Sequence, residues 1–214
     1  MDKEVAETIK FVKQTLKTAE AGHDWFHVER VYKTALNINK TAAADAAVVS
    51  FAALLHDIAD SKFHGGDEKL GPEVAKVFLT SIEVSPKIID HVVKIIQHMS
   101  FKNSFDTTPF SSKEMDVVQD ADRLDAIGAI GIARAFTYGG FKNRLLYNPD
   151  IPPELNHTKD SYKNTTAPTI NHFYEKLLLL KDGMKTEAGK VLATERHQFM
   201  LNFLDQFYKE WEGN

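Results

Sequence analysis

Two ionisable side chains end an apolar run at Leu54-Leu55-His56-Asp57-Ile58-Ala59-Asp60, where aliphatic packing would be expected to continue. A buried charge without a partner costs several kcal/mol, so a helix face that finishes in an imidazole and a carboxylate needs a counter-charge or a ligand. Three further places offer matching groups. His27 falls on the first turn of a helix in His23-Asp24-Trp25-Phe26-His27-Val28-Glu29-Arg30-Val31. Asp122 breaks another apolar stripe in Val117-Val118-Gln119-Asp120-Ala121-Asp122-Arg123-Leu124-Asp125. His91 and His98 share one face of a single helix. Two imidazoles and two carboxylates drawn from three helices form a mixed nitrogen and oxygen donor set. Such a set suits Mn²⁺, Fe²⁺, Ni²⁺ or Mg²⁺ better than a closed structural zinc site. Four protein ligands in an octahedron leave room for a water, whose pKa falls on binding, and for a phosphate oxygen. Their charges balance a divalent ion.

The elements that must position these residues read as helices almost throughout. Val5, Ile9, Val12 and Leu16 mark a first amphipathic stripe that Gly22 can end. Asp24 is a good N-cap for a second helix reaching about Lys40. A third, Ala-rich segment is expected from about Ala42 to Ile58, with Val48, Phe51, Ala52 and Leu55 inward. Helical pattern resumes from Glu73 to Ile82 through Val74, Val77 and Phe78, after the Gly65-Gly66 break. Ser85-Pro86 opens the helix of His91 and His98, and Ser111-Ser112-Lys113-Glu114 opens the helix of Asp122 as a capping box. Ala126 to Phe136 reads as a small-faced interior helix. From Gly139 to about Pro168 the chain turns polar and rich in Gly, Pro and Asn, which marks a functional excursion such as a lid or base-recognition element. Helices return from about Thr169 to Leu180 and from about Thr186 to Trp211, the latter with Leu192, Phe199, Phe203, Leu204 and Phe207 as a stripe. The expected fold is one all-α domain of eight or nine helices over residues 1–214, with its motifs in about 22–140 and C-terminal helices in about 169–211.

Composition removes several classes. The 214 residues contain no Cys, which excludes disulfide frameworks, thiolate zinc sites, iron–sulfur clusters and cysteine nucleophiles. No G-x-S-x-G elbow and no phosphate loop ending in Gly-Lys-Ser/Thr is present. A net charge of −4 argues against an extended nucleic-acid surface. The acidic start and the lack of a long apolar run point to a cytoplasmic protein with no membrane partner.

The ordered set His27, His56-Asp57 and Asp122 resembles the HD superfamily of metal-dependent phosphohydrolases. The flanking residues His23-Asp24-x-x-His27-x-x-Arg30-Val31, Leu54-Leu55-His56-Asp57-Ile58-x-Asp60 and Asp120-Ala121-Asp122-Arg123-Leu124-Asp125-Ala126 are similar to the small bacterial YpgQ-like nucleotide pyrophosphohydrolase group. Phe173-Tyr174-Glu175-Lys176-Leu177-Leu178 and Ala193-x-x-Arg196 extend the resemblance loosely into the tail. It implies an all-α HD domain binding one divalent ion, Mn²⁺ before Mg²⁺, Fe²⁺, Ni²⁺ or Co²⁺, on His27, His56, Asp57 and Asp122. Asp60 takes the position of the acid that orients or deprotonates the attacking water, one turn beyond a ligand. Ser61 stands where the superfamily's alarmone hydrolases carry a second acid, which counts against that substrate. The implied substrate is a small-molecule nucleotide, most simply a (deoxy)nucleoside triphosphate cut to monophosphate and pyrophosphate.

Substrate contacts are expected from His23, Arg30, Lys62, His98 and Lys102, each weighed against a plainer role. His23 is equally a surface residue, Arg30 can pair with an acid, and Lys62 and Lys102 can be solvated. Asp24 is read as a cap alone, and His91, His157, His172 and His197 as packing or surface residues. Arg123 and Asp125 are candidates to orient Asp122. A 5′-nucleotidase, a two-metal phosphodiesterase and a non-catalytic nucleotide-binding module stay as alternatives, and a homodimer is compatible with all of them. Asp60 favours catalysis over the module.

Overall fold

The helix that carries His27 starts at its expected cap: the Asp24 carboxylate accepts the His27 amide N–H at 2.9 Å. A computed structural model describes residues 1–19, 22–59, 67, 69–99, 110–155 and 166–214. In chain order the helices are α1 (Asp2–Thr15), α2 (Trp25–Ala42), α3 (Ala46–Leu55), α4 (Leu70–Ser81), α5 (Pro86–His98), α6 (Lys113–Asp125), α7 (Gly128–Phe141), α8 (Asn171–Glu175) and α9 (Glu187–Trp211). Short 3₁₀ turns occupy Leu16–Thr18 and Leu177–Gly183. No strand occurs among the described residues, so the all-α expectation holds. None of the described helices is long and apolar enough to cross a membrane.

The chain divides into two compact units, Met1–Asp122 and Arg123–Asn214. In the first, α3 is the central element and packs on α1, α2 and α5, while α4 packs on α5. Every α3 residue from Val48 to Leu55 is buried, so the segment carries no solvent face to betray its period. It begins four residues later than the sequence predicts. Ala43 takes a left-handed φ of 50° to end α2, and Asp45 then caps α3 by accepting the Ala47 and Val48 amides. It also ends at Leu55, so His56 and Asp57 stand on the turn beyond it.

Three other helices differ from their predicted form. α4 buries Gly71, Pro72, Ala75 and Leu79 and leaves Val77 exposed, because Phe78 instead stacks on Phe11 of α1 at 4.0 Å. α6 starts with Ser112, whose hydroxyl accepts the Met115 amide at 3.1 Å. Glu114 does not close a capping box; it accepts the Asp45 amide at 2.9 Å instead. α7 runs to Phe141 and turns Gly128, Gly131 and Gly139 inward while exposing Ile130 and Tyr138.

In the second unit α9 packs against α7 and against the Leu177–Gly183 turn, which also packs on α8. The continuous helix expected from Thr169 to Leu180 is replaced by the short α8 and that turn. Lys176, at φ −146°, breaks the run between them. Thr186 caps α9 by accepting the Gly189 amide at 3.0 Å. The buried face of α9 is Gly189, Ala193, Met200 and Leu204, and Phe199 points outward. Phe136, Phe173 and Phe203 form a ring cluster, as do Tyr147, Phe207 and Trp211.

Candidate metal centre

Four side-chain atoms converge in the first unit. His27 Nε2 lies 3.3 Å from His56 Nε2, 3.5 Å from Asp57 Oδ2 and 3.5 Å from Asp122 Oδ1. His56 Nε2 lies 3.7 Å from Asp57 Oδ2 and 3.9 Å from Asp122 Oδ1. Each residue arrives by a different local device. His27 sits on the capped first turn of α2, His56 and Asp57 on the turn after the buried Val48–Leu55 stretch of α3, and Asp122 on the last turn of α6. The two imidazoles are 2% exposed, Asp57 is 18% exposed, and Asp122 at 42% is the solvent-facing member.

The donor set fits a divalent ion. With metal–ligand bonds of about 2.1 Å, adjacent octahedral ligands lie about 3.0 Å apart and opposite ones about 4.2 Å. The five separations from the two imidazoles fall between those limits, while the Asp57 and Asp122 carboxylates stand farther from each other, on either side of the imidazole pair. His56 Nδ1 is 2.9 Å from the Ala53 carbonyl oxygen. A carbonyl only accepts, so Nδ1 carries the proton, and in the neutral ring Nε2 presents its lone pair to the other three atoms. Burial alone would raise the Asp57 carboxyl. The His56 and His27 imidazoles, with a smaller contribution from His23, more than reverse this and hold it well below the usual carboxylate range. Among the described residues, the one group of ligand-type side chains whose donor atoms all lie within 4.8 Å of one another is His27, His56 and Asp57; Asp122 approaches the two imidazoles but is not part of it.

The other candidates are distributed less evenly. His23 is half-buried beside the cluster, its ring edge-on to His27 with centroids 6.2 Å apart. Arg30 is half-buried one turn beyond His27. His98 shares its Nδ1 proton with the Lys94 carbonyl at 2.8 Å and packs against Phe110. It is not one of the converging atoms. Asp60, Lys62 and Lys102, and His157, lie outside the described residues. His91 has a structural partner set: its Nε2 is 3.0 Å from Ser112 Oγ and 3.6 Å from Glu114 Oε2, which ties α5 to the start of α6. Arg123 donates to the Gly183 carbonyl at 2.6 Å, and Asp125 receives Arg134 at 2.6 Å.

Sequence reasoning does not single out Arg134, and reads Glu114 only as the acid of a capping box. Their partners lie nine and 69 residues away, so no helical period links them. In the C-terminal unit, burial lowers the Arg196 guanidinium from its ordinary value, and the Asp125 carboxylate works against that.

Comparison with known proteins agrees with the geometry. The HD domain family model matches residues 25–127, a span that contains all four converging residues. The chain is 40% identical to the uncharacterised protein YpgQ of Bacillus subtilis over 97% of its own length and 94% of that protein's. A crystal structure of an HD-superfamily hydrolase from Bacillus thuringiensis superposes with a TM-score of 0.80 at 41% identity, covering 100% of this chain and 99% of the other. The crystal structure of B. subtilis YpgQ in complex with ADP gives 0.78 at 36% identity, covering 97% and 95%. An ordered His, His-Asp, Asp set at the ends of helices, the approach of its donor atoms and near full-length similarity lead to one conclusion: this chain belongs to the HD superfamily of metal-dependent phosphohydrolases.

Proposed function

We propose that the chain hydrolyses (deoxy)nucleoside triphosphates to the monophosphate and pyrophosphate, using one Mn²⁺ ion held by His27, His56, Asp57 and Asp122. The observation that supports this most directly is the approach of the Asp57 and Asp122 carboxylates to the paired His27 and His56 Nε2 atoms at 3.5–3.9 Å, with Asp122 open to solvent. The ADP complex of YpgQ supports a nucleotide as the ligand class. When bound, the ion supplies positive charge that polarises a phosphoryl oxygen and acidifies water.

The remaining work falls to side chains. His56 keeps its Nε2 lone pair available because Nδ1 is committed to the Ala53 carbonyl. Asp60 takes a proton from the attacking water and directs it at the α-phosphorus, in line with the departing pyrophosphate oxygen. His23, beside His27, donates to a phosphoryl oxygen together with Arg30, His98, Lys62 and Lys102.

The test is a metal-stripped protein given back Mn²⁺ and assayed against a nucleotide panel, with pyrophosphate and orthophosphate measured separately. Pyrophosphate from triphosphates is the expected result. Orthophosphate from monophosphates replaces the reading with a 5′-nucleotidase, and nucleotide binding without turnover replaces it with a binding module. More than one ion per chain points to the two-metal phosphodiesterase chemistry, which the engagement of His91 by Ser112 and Glu114 weighs against.

A further inference from the structure

The end of α6, directly after Asp122, is gripped by side chains from distant parts of the sequence. Arg134 of α7 directs one nitrogen at two acceptors of Asp125, the carboxylate oxygen at 2.6 Å and the backbone carbonyl at 3.2 Å. Arg196 of α9 donates from Nη1 to the Leu124 carbonyl. Arg123 reaches the Gly183 carbonyl. These contacts all lie within the Arg123–Asn214 unit, and α6 itself is continuous from Lys113 to Asp125.

Two glycines make the grip possible. Gly128 has φ +76°, and a Cβ there would stand 3.0–3.3 Å from the Cγ, Cβ and Cδ of Arg196, so the arginine stem lies directly over the backbone. A Cβ on Gly131 would collide with the Ala126 carbonyl. The turn between α6 and α7 is therefore tight, closed by Ala126 N–H to the Arg123 carbonyl at 3.1 Å and Ile127 N–H to the Leu124 carbonyl at 3.3 Å.

The last carbonyls of a helix have no partners inside it, and the final turn frays unless something holds it. A glycine in the left-handed conformation usually supplies the cap. Here an Arg196 nitrogen joins the Ile127 N–H on the Leu124 carbonyl and an Arg134 nitrogen takes the Asp125 carbonyl, next to a residue three positions from the helix end whose carboxylate faces His27 and His56. A ligand on a fraying turn would have to be ordered at each binding event, which weakens the site.

We infer that Arg134 and Arg196 are positioning residues for the metal centre: by holding the Asp125 and Leu124 carbonyls they fix the turn of α6 from which Asp122 projects. This rests on the assignment of Asp122 as a ligand made above. The experiment measures Mn²⁺ affinity by calorimetry on metal-stripped protein, at a temperature where circular dichroism shows every variant folded. Arg196→Met keeps the stem over Gly128 but loses the donor, and Arg196→Lys restores a donor and a charge. The expected result is an affinity loss of about 10- to 100-fold for Arg196→Met, the range seen for groups that orient metal ligands, with most of it recovered in Arg196→Lys. Wild-type affinity in Arg196→Met, while Asp122→Ala has lost binding, overturns the positioning role alone. If the wild type takes up no Mn²⁺, or Asp122→Ala binds as tightly as wild type, the ligand assignment falls and the positioning role falls with it.

Discussion

Asp57 and Asp125 are both largely removed from water, one in each compact unit, yet their surroundings differ. Asp125, 5% exposed, holds the Arg134 guanidinium at 2.6 Å, a closed charge-assisted pair. Asp57, 18% exposed, sees its nearest cationic candidates, His27 and His56 Nε2, at 3.5 and 3.7 Å. Those distances exceed a good N–H···O hydrogen bond, and a second carboxylate, Asp122, shares the same imidazoles. The C-terminal unit neutralises its buried charge with its own side chains. The N-terminal unit gathers lone pairs around a point that an ion can complete, and the difference separates a structural network from a binding site.

The comparison can be broken most decisively at the ligands. His56→Ala and Asp122→Ala are expected to lower both ion retention and hydrolysis by more than about 100-fold, since groups that merely orient ligands already cost 10- to 100-fold. Elemental analysis after gel filtration, paired with the pyrophosphate assay, checks this; unchanged metal content in both variants would make the four-ligand assignment wrong. Breaking the closed pair acts on stability instead. Arg134→Ala takes the 2.6 Å partner from the buried Asp125 carboxylate and is expected to cost about 3–5 kcal/mol, read from urea unfolding in the presence of chelator. An ordinary surface-like loss below about 1 kcal/mol would mean that Asp125 is not the compensated charge it resembles.

Ion removal tests the N-terminal half of the contrast without mutation. At a free Mn²⁺ concentration about 1,000 times Kd, the ion adds about 4 kcal/mol, so chelation should lower Tm by roughly 8–16 °C. The same treatment should leave His56→Ala unmoved, and an equal shift in both proteins would mean that the ion binds elsewhere.

A smaller effect comes from His172, a half-buried imidazole of the C-terminal unit. Burial, followed by the charges of Lys176 and Arg144, pulls its pKa from the ordinary 6.5 down to about 4. The unfolded chain then binds the extra proton between those values. The stability gained by keeping the ring neutral is complete above about pH 6.5 and is lost as pH falls toward 4. Wild type should therefore lose more unfolding free energy between pH 7 and pH 4.5 than His172→Gln, by an amount on the order of 1–3 kcal/mol. Parallel pH profiles would show that His172 protonates freely in the folded state. The smallest effect is at the cap: Asp24→Ala should cost about 1 kcal/mol in chelator, because it removes the acceptor of the His27 amide.

Legibility followed the range of the interactions involved. Caps are local, so Asp24 was readable as the cap of α2, and so were the existence of most helices and the start of α9 near Thr186. Asp45 was not recognised as the start of α3, because an Ala-rich segment buried from Val48 to Leu55 has no polar face to mark its limits. Glu114 at the right spacing suggested a capping box, but a longer-range acceptor role toward the Asp45 amide and a place beside His91 took it instead. Val77 and Phe199 fit the apolar period of their helices and still face outward, since period alone does not say which stripe a neighbour covers.

By itself the sequence determined the helical class and offered His27, His56-Asp57 and Asp122 as candidate donors, because donor chemistry and short-range helix signals are properties of residue type and spacing. The tertiary structure decided that both carboxylates come within 3.9 Å of the His27 and His56 Nε2 atoms, that His56 offers Nε2, and that His91 is spent on holding α6. It also decided that Arg134 and Arg196 close the helix end behind Asp122. Those outcomes depend on packing between segments far apart in the chain, where no periodicity reaches.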